Sequence, residues 1–153
     1  MHAGPSRARP ASVRARQGPR EPARDPLRVA HLEVAAVDPL GADNVLILSN
    51  GLLAGTAAPG STRLHIAARS PQTRLLGFSN VGGDFGSSLQ LSGYQVIAVG
   101  GKCPRPSCLL ISSSGVQILD AQEYWGLDTW ATERLIKGKL GPEVGVLSIG
   151  PAG

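Results

Sequence analysis

What this sequence is short of narrows its chemistry first. It has only two cysteines, Cys103 and Cys108, set as C-x4-C across CPRPSC. A metal or iron–sulfur centre needs more thiolates than that, and no C-x2-C pair occurs in the chain. The pair reads best as two spare thiols in a reduced compartment, the cytoplasm, with a loop disulfide as the alternative. No apolar run approaches the roughly 18 residues a membrane span needs, so no membrane partner is expected. There is no internal repeat and no heptad. Ser79, Ser87 and Ser88 lack the histidine and aspartate company of a nucleophilic triad. His65 alternates with Leu64 and Ile66 and reads as sheet wall or core edge; His2 and His31 lie in or near the N-terminal tail. Aromatic residues are few. Trp125 and Trp130 flank a turn and a helix start, where they are expected to pack that helix onto a sheet.

What is plentiful is glycine, proline and, at one end, arginine. The 153 residues suit one domain, and 20 Gly with 12 Pro predict short elements and many turns. The net charge of +4 resembles a nucleic-acid signal until it is localised. Residues 1–28 carry seven Arg against Glu21 and Asp25, a balance of +5. Residues 29–153 carry eight Lys or Arg against nine Asp or Glu, a balance of −1. No specific nucleic-acid partner is therefore expected for the folded part. The tail, MHAGPSRARPASVRARQGPREPARDPLR, has five prolines and almost no aliphatic residues, so disorder is expected over 1–28. Its composition resembles an organellar transit peptide, but the proline spacing prevents an amphipathic helix. A nucleic-acid- or membrane-contacting arm, a leader without function and a mis-assigned upstream segment stay open.

From residue 29 the composition turns globular. VLILSN (45–50) and RLHIAA (63–68) read as strands, separated by a turn at Pro59-Gly60. DFGSSLQLSG reads as a short helix with Phe85 and Leu89 on one face and Gly93 as its stop. YQVIAVGG (94–101) is a strand, and CLLISS and VQILDA form a hairpin around Ser114-Gly115. Asp128 is a good N-cap for a helix through Leu140 with Lys137 and Lys139 in its last turn, and VGVLSIG (144–150) reads as a last strand. The connections are mostly hairpin-like, which predicts an α+β fold of largely antiparallel β-sheets with two short helices.

One stretch carries chemistry. SPQTRLLGFSNVGGDFG (70–86) places Gly82, Gly83 and Gly86 around a helix start, just downstream of Arg63. Glycines let backbone N–H groups approach a ligand closely, and a helix N-terminus favours negative charge. An arginine on a neighbouring strand supplies the fork that phosphate prefers. Arg63, Asn80, Gly82 and Gly83 are thus candidates for one phosphate or pyrophosphate cradle; the glycines alone are a weak signal.

Several separated segments carry a resemblance: GTAAPGSTRLHIAARSP, LLGFSNVGGDFG, SGYQVIAVGGK, ILDAQEYWGLDTW and SIGPAG, in that order. From about Val37 to Gly153 the chain resembles the N-terminal domain of the tungsten-containing aldehyde ferredoxin oxidoreductases. The resemblance implies paired β-sheets forming the base for a tungsten (or molybdenum) bis-pterin cofactor of the molybdopterin type. It implies that Arg63 contacts the pterin phosphate, that the Asn80 backbone carbonyl helps hold a bridging magnesium, and that Gly82 lies against the cofactor. Residues 29–153 are then a truncated cofactor-base domain. The whole enzyme would oxidise an aldehyde to a carboxylate and pass electrons through a [4Fe–4S] cluster to ferredoxin; a homodimer stays open. The chain departs from the family pattern in its Arg/Pro tail, in Asp84 where an aromatic is usual, and in Arg74 where a turn glycine is usual. Asp84 is expected to cap the helix itself and to repel a phosphate. Cys103 and Cys108 match none of the cluster cysteines, so the chain alone is expected to be inactive. The alternative is a stand-alone pterin- or phosphate-binding module or one subunit of a split enzyme.

Overall fold

The computed structural model describes residues 10–17 and 37–151. Its elements run β1 (Ser12–Gln17), β2 (Leu46–Asn50), β3 (Leu64–Arg69), β4 (Leu76–Val81), α1 (Phe85–Leu91), β5 (Tyr94–Gly100), β6 (Ser107–Ser112), β7 (Gly115–Asp120), a 3-10 turn (Gln122–Tyr124) and α2 (Thr129–Leu140). Five strands form one sheet in the order β1-β5-β2-β3-β4, and β6 and β7 form a separate two-stranded sheet. Every strand pair is antiparallel. The expected α+β class with largely antiparallel sheets and two helices is what the chain adopts.

Alternation along the strands explains the packing. In β3, Leu64 and Ile66 join the cluster under α1, while Ala67 joins the smaller cluster on the opposite face, the face on which exposed His65 also lies. One sheet face joins Leu48, Leu64, Ile97 and Tyr94 to Leu89 of α1, with Phe85 packed alongside. Ile47, Ala67 and Val96 make a smaller cluster. Leu64 and Ile97 are fully buried and sit opposite the helix that covers them. Gly93 follows α1 at φ +91°, a left-handed stop that glycine adopts without a Cβ penalty.

Four expectations need correction. Residues 12–17 are an edge strand, although disorder is expected over 1–28; residues 1–9 and 18–28 lie outside those described. SVRARQ pairs with β5 from Ser12↔Gly100 to Gln17↔Tyr94 through backbone hydrogen bonds, which do not need apolar side chains. Val13 alone packs on the core, and arginine suits a strand with one open edge. Just before it, a Cβ on Gly101 would overlap the Pro10 carbonyl, so the chain ends of β1 and β5 touch backbone to backbone.

Second, residues 144–150 form no strand. Gly145 lies against Phe85 and Ser88 of α1, and a helix flank has no free ladder groups to pair with. Third, Trp125 and Trp130 pack nothing onto a sheet; they are 72% and 81% exposed. The side of α2 that is buried is the one carrying Thr132. Fourth, Asp84 makes no side-chain cap on α1, because its backbone is already helical (φ −90°, ψ −15°) and a cap needs an extended residue. Asp128 has that extended backbone (φ −70°, ψ 169°) and caps α2 as expected, accepting from the Ala131 N–H at 2.7 Å. At the hairpin, the turn residues are Ser113 and Ser114, and Gly115 opens β7.

The far end of α2 is tied down electrostatically. Lys139 pairs with Glu123 and stands 5.7 Å over the Tyr124 ring. The hydrogen bond from Lys139 holds the Glu123 carboxyl below the usual range. Among the described residues no helix is long and apolar enough to cross a membrane.

Candidate anion-binding site

The β3–β4 ladder brings the candidate residues together. Leu64 pairs with Val81 and His65 with Asn80. Arg63, one residue before Leu64, therefore comes alongside Gly82, one residue after Val81. Two differences from the sequence reading matter. Arg63 stands just before β3 rather than within it, and Asn80 lies inside β4 rather than in a glycine loop. The loop is short: Gly82, Gly83 and Asp84, before Phe85 starts α1. Gly83 has φ +91°, and a Cβ on either Gly82 or Gly83 would meet only open space. Nothing in this chain's own packing demands a glycine at 82, so its small size is available to something outside the chain.

Arg63 and His65 line an open hollow of about 330 Å³ together with Gly51–Ala54 and Pro59–Ser61. Among the described residues the Arg63 guanidinium has no ion-pair or hydrogen-bond partner. The hollow also holds unused hydrogen-bonding capacity: Ser61 Oγ is buried and has no partner among the described residues. Buried polar groups seek partners, so an oxygen-rich ligand or ordered water suits this wall. A guanidinium, an imidazole, a hydroxyl and a shallow concavity match a phosphate group better than an apolar ligand.

The backbone on either side of Arg63 is packed against a further glycine of the same stretch, Gly86. A Cβ on Gly86 would stand 2.5 Å from the Thr62 carbonyl oxygen and 3.4 Å from Asn50 Oδ1. The first turn of α1 thus rests directly on the backbone that leads into Arg63. Gly86 is a packing glycine, buried, and not part of the cradle. Asp84 is exposed and is not among the residues lining the hollow.

The other candidates fall away from this site. Cys103 and Cys108 are both free. Burial, then the charges of Asp120 and Glu123, push the Cys108 thiol up, which keeps it protonated at neutral pH and a poor nucleophile or ligand. Among the described residues no three His, Cys, Asp or Glu side chains gather to hold a metal ion. The loops 51–54 and 59–61 and the buried Asn50 were not singled out from sequence; Gly51 and Pro59-Gly60 were the available signal, as turn residues bracketing an apolar pair.

Comparison with known proteins agrees with the fold. The family described as aldehyde ferredoxin oxidoreductase, N-terminal domain, matches residues 26–153. The tungsten-containing aldehyde ferredoxin oxidoreductase of Pyrococcus furiosus is 41% identical over 118 residues, 76% of this chain and 20% of its own length. The protein of the same description from Thermococcus kodakarensis is 40% identical over 117 residues, 76% of this chain and 19% of its own. Among solved structures, the active-site complex BamBC of benzoyl coenzyme A reductase with 1,5-dienoyl-CoA superposes with a TM-score of 0.67 at 38% identity, covering 71% of this chain and 17% of that one. The chain thus spans about a fifth of the curated relatives it matches. The chain belongs to the aldehyde ferredoxin oxidoreductase family, matching its N-terminal domain over most of its length.

Proposed function

We propose that this chain is the cofactor-base part of an oxidoreductase that carries a tungsten (or molybdenum) bis-pterin, with Arg63, Asn80, Gly82 and Gly83 cradling a pterin phosphate. The observation that carries the reading is the placement of Arg63 beside Gly82, with Arg63 lining the same hollow as the buried Ser61 hydroxyl, which has no partner among the described residues. In this reading Arg63 donates a bidentate pair to phosphate oxygens. Gly82 and Gly83 would admit the phosphate to the backbone, and the Asn80 carbonyl would help hold a magnesium ion. The bound cofactor supplies the redox chemistry; this chain's residues bind and orient it. The domain includes β1 (Ser12–Gln17) together with 29–153, and the arginines of 1–28 serve no specific nucleic-acid role.

For the whole enzyme we propose aldehyde oxidation to a carboxylate, with electrons leaving through a [4Fe–4S] cluster to ferredoxin, in the cytoplasm. Cluster ligands would come from polypeptide beyond this stretch. A split-enzyme subunit or binding module is the second reading, favoured because Arg63, His65, Gly82 and Gly83 all come from the β3–β4 ladder and the residues flanking it in this chain. A relative 36% identical over 91 residues, the Pyrococcus furiosus aliphatic sulfonate oxidoreductase, WOR-like subunit, is itself described as a subunit.

The test is direct binding of inorganic pyrophosphate and of a pterin phosphate to the pure chain by calorimetry. Arg63→Ala should weaken binding by about 1.5–3 kcal/mol, the worth of a charge-assisted contact. Gly82→Val should weaken it by filling open space that the ligand needs, whereas Cys103→Ser should leave it unchanged. Equal affinity for the parent chain and Arg63→Ala would rule the cradle out.

A further inference from the structure

The most buried polar side chain of the five-stranded sheet has nothing in the described chain to bond to. Asn50 closes β2, pairs with Leu64 of β3 and is 9% exposed. Strand alternation puts it on the α1 face with Leu48, and the ladder puts it opposite Leu64 on that face. Neither Oδ1 nor Nδ2 has a hydrogen-bond partner among the described residues. An amide offers two donors and two lone pairs. Burying one unmatched costs more than burying an apolar side chain of the same shape.

Its position relates this amide to Arg63. A Cβ on Gly86 would stand 2.5 Å from the Thr62 carbonyl oxygen, 3.4 Å from Asn50 Oδ1 and 3.5 Å from the Leu64 amide nitrogen. One point on the first turn of α1 is therefore shared by the orphaned amide and by the backbone on both sides of Arg63. Gln90, one turn further along α1, brings a second buried acceptor without a partner among the described residues to that side of the helix. Polar groups so placed are satisfied by ordered water, which bridges gaps that a direct hydrogen bond cannot span.

We propose that Asn50 is a positioning residue for Arg63: its amide holds one internal water against the Thr62–Leu64 backbone, and that water fixes how Arg63 leaves the sheet toward the hollow. Asn50 is not among the residues lining the hollow, so it acts through Arg63 and not on the ligand. The inference rests on the cradle reading for the use to which Arg63 is put.

The experiment begins with water–amide cross-relaxation in the isotopically labelled chain. A long-lived water should give contacts to the Asn50 side-chain amide protons and to the Leu64 N–H, and Asn50→Leu should abolish the latter. Asn50→Leu should also speed hydrogen exchange at the Arg63 amide. In calorimetry it should weaken inorganic pyrophosphate binding about fivefold, the worth of one neutral hydrogen bond. Asn50→Ser, which keeps a hydroxyl and leaves room for water, should recover most of that affinity. On an Arg63→Ala background Asn50→Leu should change affinity no further, because the effect passes through Arg63. The proposal is overturned by a parent chain without the water contact, by Arg63 exchange unchanged in Asn50→Leu, or by measurable pyrophosphate affinity that Asn50→Leu leaves unchanged. A loss that Asn50→Ser does not recover, or that persists in full without Arg63, would overturn it in favour of plain packing. A parent chain that binds no pyrophosphate would overturn the cradle instead, and the water contact with the Arg63 exchange would then decide the positioning.

Discussion

At the scale of single residues, two glycines four positions apart do opposite jobs. Gly82 borders open space; Gly86 is pressed onto the Thr62 carbonyl. Alanine normally gains about 1 kcal/mol over glycine inside a helix. At 86 that gain is outweighed by overpacking of about 1–3 kcal/mol, because the obstacle is backbone and cannot rotate away. Gly86→Ala should therefore lower stability in urea melts, and a stabilised variant would show that α1 can lift off the 62–64 segment. Much of the site was legible at this scale: the pairing of Arg63 with the glycines could be anticipated from residue type and spacing. Which glycine borders open space and which is pressed into packing could not, since both read as loop glycines until the helix start is fixed. Arg74 is the converse case. It holds the left-handed backbone, φ +58°, that a glycine would adopt freely.

At the scale of elements, the caps and the edge strand decide what holds. Asp128 closes the start of α2, and α2 buries only Thr132. Asp128→Ala should cost about 1 kcal/mol, felt locally as faster hydrogen exchange at the Ala131 amide. Uniform slowing of exchange or no change there would contradict it. β1 is the second case. Removing residues 1–17 strips partly buried Val13 from the core and leaves β5 with an unpaired edge. A loss of about 1–2 kcal/mol follows from the partial valine burial, or roughly 2–8 °C in melting temperature at this chain length. An unchanged melting temperature would show β1 to be ornamental. β1 escaped the sequence reading because arginine and proline dominate its surroundings, while the two-residue alternation of Val13 and Ala15 with Arg14 and Arg16 carried the signal. Residues 144–150 failed in the other direction: β-rich composition cannot make a strand where the neighbour is a helix.

For the molecule as a whole, the family is established and the activity is a matter for the complete enzyme. The pure chain, supplied with metal and pterin, should give no aldehyde oxidation with an artificial electron acceptor, since it spans about a fifth of the length of its relatives. Measurable turnover would overturn the cofactor-base reading. The strand order carries a different consequence, for how the chain comes off the ribosome. β2, β3 and β4 follow one another and pair as they appear, but β1 and β2 both wait for β5. Roughly eighty residues separate the end of β1 from Tyr94, its partner across the ladder. At about 5–20 residues per second the N-terminal arginines spend about 4–16 s without their strand partner. For that interval the chain presents to the cell a short meander with an unfilled core and a basic, unpaired arm; the interval closes only when Ile97 arrives to complete both sides of the sheet.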